Sequence, residues 1–215
     1  MVRGFCLAAA GLLLAGCTAP RDERIRDYNA DGVWLFQQGK YAEAGESFQA
    51  ALALKPNDAA LLFNLGETYQ RRATYPQAER YYNQCLELEP NHGPCRFALA
   101  SLLVQTGRSS EAATMAQNWL YRAPNCADAY ALDGWYWHQA GDLPKAQGRL
   151  QQALDFEPHN RRALVELGLV YEAMQRPERA AALYERVLDD DPEQPEVKER
   201  YQALLTKGVK PPRPD

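Results

Sequence analysis

Three things are scarce in this sequence, and each scarcity narrows what the chain does. An excess of one charge is the first: 24 Lys and Arg stand against 28 Asp and Glu, a formal net of −4 over 215 residues. A nucleic-acid binder usually carries a strongly basic face, and adhesion to anionic lipid needs a basic patch, so neither mode fits this balance. Long apolar runs are the second. The apolar stretch at residues 4–14 is far shorter than the roughly 20 residues of a membrane-spanning helix. Catalytic signatures are the third. There is no Gly-rich phosphate loop, no nucleophile elbow and no paired-histidine metalloprotease motif. The histidines are His92, His138 and His159, scattered along the chain. No catalytic residue and no cofactor is expected. Carboxylates such as Glu67 and Glu172, and the run Asp189-Asp190-Asp191, read as solvated charge on helix surfaces and ends.

What is present begins at the N-terminus. Met1-Val2-Arg3 is a short positive segment, residues 4–14 are apolar, and Leu14-Ala15-Gly16-Cys17 follows. This resembles the lipobox of bacterial lipoprotein precursors, in which small residues lie extended in a peptidase groove ahead of an acylated cysteine. The resemblance implies that residues 1–16 are a signal peptide and that Cys17 carries the lipid. Thr18 follows it where an Asp would retain the protein at the inner membrane, so by similarity to enterobacterial sorting the expected address is the periplasmic face of the outer membrane. Residues 17–24 then form the anchor and a short tether; the seven residues 18–24 reach at most about 25 Å. Cys6 leaves with the leader, and Cys85, Cys95 and Cys126 meet an oxidising compartment.

The prolines carry a repeat. Pro56, Pro90, Pro124, Pro158 and Pro192 are each 34 residues apart. With each proline at position 32, the units are 25–58, 59–92, 93–126, 127–160 and 161–194. Position 8 is then Gly32, Gly66, Ala100, Gly134 and Gly168, and position 20 is Ala44, Ala78, Ala112, Ala146 and Ala180. Position 24 is large in Phe48, Tyr82, Leu150 and Tyr184; the exception is Ala116, where Trp119 is expected to fill the space. Gly39, Gly107 and Gly141 at position 15 suit the left-handed end of a first helix, while Ala73 and Gln175 at the same position predict a different closure. Pro76 and Pro144 begin second helices.

This pattern resembles the tetratricopeptide repeat (TPR), a helix–turn–helix unit with a 34-residue period. The resemblance covers 25–194 and implies an all-α, right-handed α-solenoid of five units. Val197, Tyr201, Leu204 and Leu205 at helical spacing predict a C-terminal capping helix over 195–207, closed by Gly208, with 208–215 as a loose tail.

In such arrays positions 2, 5, 9 and 12 of the first helices line a concave groove. Phe36, Phe63, Glu67, Phe97, Trp135, His138 and Leu169 are the candidate partner-binding residues, with Phe63, Phe97 and Trp135 expected to stay partly exposed. Packing against neighbouring helices is the alternative for these aromatics. The groove that clamps chaperone carboxylate tails needs a Lys/Asn set, and the matching residues here are Asn29, Val33, Asn64, Pro94 and Ala98, of which only Asn64 agrees. The unit geometry makes Cys95 and Cys126 the candidate disulfide, with three free thiols as the alternative and Cys85 a buried spare. The spacing of Cys85, His92, Cys95 and Cys126 matches no zinc-finger pattern, so no metal is expected. The expected function is a lipid-anchored scaffold that binds other envelope proteins, similar in architecture to the TPR lipoproteins that assemble pili and secretins, or to adaptors that dock peptidoglycan hydrolases.

Overall fold

The computed structural model describes residues 20–211, and among these it is built from helices with no strand. Eleven helices follow one another: α1 (Arg21–Gln37), α2 (Tyr41–Leu54), α3 (Ala59–Arg71), α4 (Tyr75–Leu88), α5 (Gly93–Gln105), α6 (Ser109–Arg122), α7 (Ala127–Gln139), α8 (Leu143–Phe156), α9 (Arg161–Ala173), α10 (Pro177–Asp190) and α11 (Pro195–Thr206). Each packs on its successor, and α3, α5, α7 and α9 also touch in that order, which makes a solenoid with the first helices of the units side by side. From α3 onward the helix starts recur every 34 residues, as the prolines require.

The small residue at position 8 exists because of the ring at position 24 of its own unit. A Cβ added to Gly66 would lie 2.3 Å from Tyr82, one at Gly168 2.4 Å from Tyr184, and one at Gly32 2.6 Å from Phe48. The third unit departs from the pair: Ala100 stands where the other units have Gly, Ala116 where they have a large side chain, and the fully buried Trp119 belongs to the same core. Its indole N–H donates to Asn91 Oδ1 at 3.2 Å, which satisfies the one polar atom it takes inside.

Two sequence expectations change here. Ala73 and Gln175 do not close their turns differently. They adopt φ +56 and +58, the same left-handed conformation as Gly39, Gly107 and Gly141, because the chain must reverse within the same few residues in every unit. A side chain in that region costs about 1–2 kcal/mol relative to glycine. The first helix also starts earlier than expected: α1 begins at Arg21, and residues 21–24 are its first turn. Arg21 Nε donates to the Leu54 carbonyl at the end of α2 (2.9 Å), which anchors that extra turn. The leader, Cys17 and residues 212–215 lie outside the described residues. No described helix is long and apolar enough to cross a membrane.

Position 34 is a recurrent helix cap. Asp58 Oδ1 accepts from Leu61 N–H (3.0 Å), His92 Nδ1 from Cys95 N–H (3.1 Å) and Asn160 Oδ1 from Ala163 N–H (2.9 Å). These side chains satisfy backbone donors that the first turn leaves open. At the other end α11 lays Val197 and Leu204 on the last unit and stops at Gly208, φ +83.

Candidate binding groove

The expected groove residues separate into local pairs. Phe97 of α5 and Trp135 of α7 meet edge to face with ring centroids 6.4 Å apart. The Arg162 guanidinium of α9 lies 4.0 Å from the Phe97 ring centroid, so three consecutive first helices contribute to one aromatic–cation stack. Phe97 is buried at 5% exposure, which corrects the expectation that it stays partly exposed: Arg162 and Trp135 cover it. Trp135 and Phe63 are half-buried. Phe63 sits apart from that stack, 5.9 Å from the His92 ring and 6.3 Å from Tyr82. Phe36 belongs to the first unit, where it packs on Tyr41. Leu169 is half-buried on α9.

The groove carboxylates are tied down. The Tyr82 hydroxyl, with one proton to donate, lies 3.0 Å from Glu67 Oε1 and 2.8 Å from Gln70 Oε1, and the Tyr184 hydroxyl donates to Glu172 Oε1 (2.5 Å). Burial, reinforced by Glu67, pushes the Tyr82 hydroxyl pKa far above its usual range, so it stays a donor. Glu67 and Glu172 are therefore half-buried acceptors and not the freely solvated charges that helix periodicity suggested. His138 faces Glu166, with Nδ1 3.7 Å from Oε2 and neither atom hydrogen-bonded.

A cleft of about 840 Å³ opens at the N-terminal ends of α5, α7, α9 and α11. Phe97, Val165, Val187 and Val197 line its apolar part, and Asp128, Arg162 and Glu166 its polar part. Of the seven expected groove residues, Phe97 alone lines this cleft. The sequence reading did not include the wall supplied by α11, nor Asn160, which donates to Asp128 Oδ1 (2.9 Å) and Glu157 Oε2 (2.8 Å) while capping α9.

The cysteines pair otherwise than expected. Cys85 and Cys95 form the disulfide, with Cα atoms 6.7 Å apart, and Cys126 is free and half-buried. Cys85 on α4 and Cys95 in the first turn of α5 both point into the seam between these helices, in a small core with Ala59 and Leu62. Cys126 precedes α7 as its N-cap residue, at the edge of that helix. Proximity of first-helix ends was the wrong criterion; the buried position 27 facing the next unit's position 3 is the signal that finds the bridge.

Comparison with known proteins decides the family. The tetratricopeptide-repeat profile matches residues 71–134 and 138–207, and a further TPR-repeat profile matches 34–72. The chain belongs to the tetratricopeptide-repeat family. TPR arrays are scaffolds for contact with other proteins, and that coarse function applies here. A thermophilic TPR protein of Thermus thermophilus superposes with a TM-score of 0.66 at 22% identity, over 85% of this chain and 99% of that one. Pseudomonas aeruginosa PilF gives a TM-score of 0.56 at 15% identity, over 87% and 91%. Human protein O-mannosyl-transferase TMTC2 is 32% identical over 110 residues, 45% of this chain but 13% of the transferase. The photosystem I assembly protein Ycf3 of Acaryochloris marina is 31% identical over 100 residues, 44% of this chain and 60% of that protein. This chain thus spans about an eighth of the human transferase.

Proposed function

We propose that this TPR protein is a non-catalytic envelope scaffold, tethered through a lipid on Cys17 to the periplasmic face of the outer membrane. A partner segment lies along the first helices, on the side where Trp135 meets Phe97 edge to face beside the cleft. The half-buried Trp135 on the buried Phe97, beside a cleft of mixed apolar and charged lining that α11 walls on one side, is the observation that carries the reading. Its favoured task is assembly of an envelope machine such as a type IV or tight-adherence pilus or a secretin. The leader-and-repeat architecture supports that task, and the similarity to PilF adds the fold alone. Docking of peptidoglycan hydrolases is the second task compatible with the architecture.

Two experiments test this. Trp135→Ala keeps a melting temperature near wild type while recovery of pilin or secretin components from detergent-solubilised envelope falls; a sharp drop in melting temperature instead removes Trp135 from the binding surface. Recovery of murein hydrolases in place of pilus components selects the second task. Metabolic labelling with a fatty-acid analogue marks the wild type and not Cys17→Ser, and equal labelling of both excludes the lipid anchor.

A further inference from the structure

The bridge between Cys85 and Cys95 has a third neighbour that the groove does not use. One donor atom from each of Cys85, His92 and Cys95 lies within 4.8 Å of the others. All three sit on fixed backbone: Cys85 in the last turn of α4, His92 as the N-cap of α5, Cys95 in the first turn of α5. Both sulfurs belong to fully buried residues, and the imidazole is half-buried between them and Phe63. Two sulfurs and one imidazole nitrogen are the donor set of a thiophilic ion, and three protein ligands with one open position describe an exchangeable zinc site. Cys95 lies where the amide N–H groups of a helix N-terminus favour negative charge. Cys126 is not part of the cluster.

We propose that reduction of the Cys85–Cys95 bridge opens a site for one Zn²⁺, held by the two thiolates and His92, with water at the fourth position. A dithiol reductant supplies two electrons and two protons to the S–S bond and is itself oxidised to a disulfide. Zn²⁺ then displaces one proton from each thiol. Disulfide and metal exclude each other, and either one fastens the seam between the second and third units. His92 Nδ1 accepts the Cys95 N–H in the bridged form, so this neutral ring carries its proton on Nε2. Ligation through either nitrogen therefore releases that helix cap, which the metal bond replaces.

The array itself supplies the control variant, because Asn160 caps α9 at the position His92 occupies on α5. His92→Asn keeps a capping side chain and removes the imidazole. The full chain carrying Cys6→Ser and Cys17→Ser, taken as wild type here, is reduced, freed of reductant without air and titrated with Cd²⁺, whose thiolate charge-transfer absorption reports binding; Zn²⁺ is then measured by competition. Wild type and Cys126→Ser are expected to saturate at one ion per chain and the bridged protein to show no charge-transfer band. Cys85→Ser loses the band, and His92→Asn weakens binding at least about tenfold with helical circular dichroism unchanged. If reduction lowers helicity, Zn²⁺ restores it in wild type and not in His92→Asn. A reduced wild type with no charge-transfer band, a His92→Asn variant that binds as tightly, or a Cys126→Ser variant that loses the ion overturns the assignment.

Discussion

The first and fifth units share a plan and differ in what covers them. α1 is 17 residues long and buries only Gly32 and Leu35, whereas the 13-residue α9 buries six residues. Tyr28, Val33 and Trp34 of α1 remain exposed, Trp34 at 54%. The core of the first unit is a small separate cluster of Leu35, Ala44, Phe48 and Ala51, completed by Leu61 and Leu65 of the second. That of the fifth unit belongs to one cluster running from Ala78 to Leu204, which includes the capping helix. In a solenoid each unit contacts only its neighbours, so a unit's stability depends on how many of its faces a neighbour covers. The aromatic–cation stack and the cleft both lie at the well-covered end.

The largest effect expected from this difference is in the core. Tyr184→Ala removes a fully buried ring over Gly168 and should lower stability by about 3–5 kcal/mol in the main urea transition. Phe48→Ala removes an equally buried ring from the first unit. There the loss should appear as early exchange of α1 and α2 amides, with the main transition close to wild type. Equal shifts of one cooperative transition would mean that the array melts as a single body and that the difference in cover has no energetic weight.

Next in size is the bridge, which fastens α4 to α5 at the seam between the second and third units. The pair Cys85→Ala and Cys95→Ala is expected to lower stability by about 2–3 kcal/mol, most of it through the unfolded chain. Amide protection should fall more in α1 to α4 than in α7 to α11. Uniform loss along the array would place the bridge's effect in the whole chain and not at the seam.

The fold was readable because five prolines repeat at 34 residues and small residues recur at fixed offsets from them. Each unit is a local object, so its helices follow from local pattern. The groove and the cysteines depend on which side chains meet across units, and period alone does not give that. The sequence placed Phe97 and Trp135 on the same groove face; it did not show that Arg162 from a third helix lies over Phe97 and buries it. It placed Cys85 at a buried position and still missed its partner, because the partner lies on the next unit's first helix, ten residues along the chain. The turn at Ala73 was misread for the opposite reason: the pattern of the array overrode the preference of a single residue.

Those strained turns sit in the second and fifth units and give a smaller test. Ala73→Gly and Gln175→Gly relieve a left-handed conformation at φ +56 and +58. The gain is partly offset by the freedom glycine adds to the unfolded chain, which leaves a net stabilisation of about 0.5–1 kcal/mol for each. Denaturant midpoints should rise in both variants. A fall in either would show that the side chain makes contacts outweighing its backbone strain.

The smallest effect separates two caps that do one job with different chemistry. Burial pushes the Asp58 carboxyl upward, but hydrogen bonds from Lys55 and from Leu61 N–H outweigh it and hold the group below its ordinary value. Because the folded pKa lies below the unfolded one, the stability from ionised Asp58 is fully present above the unfolded value. It is lost as pH falls through the folded value. Asp58→Ala should cost about 1 kcal/mol at neutral pH and progressively less in acid, as the wild-type cap is itself protonated. Asp58→Asn installs the side chain that caps α9 at Asn160, keeping the acceptor for Leu61 N–H while giving up the charge facing Lys55 Nζ at 2.8 Å. Its deficit at neutral pH should be smaller than that of Asp58→Ala, and the gap to wild type should close on acidification. Stability curves for wild type and Asp58→Asn that stay parallel from neutral to acid pH would show that the carboxylate acts at this cap only as a neutral acceptor would.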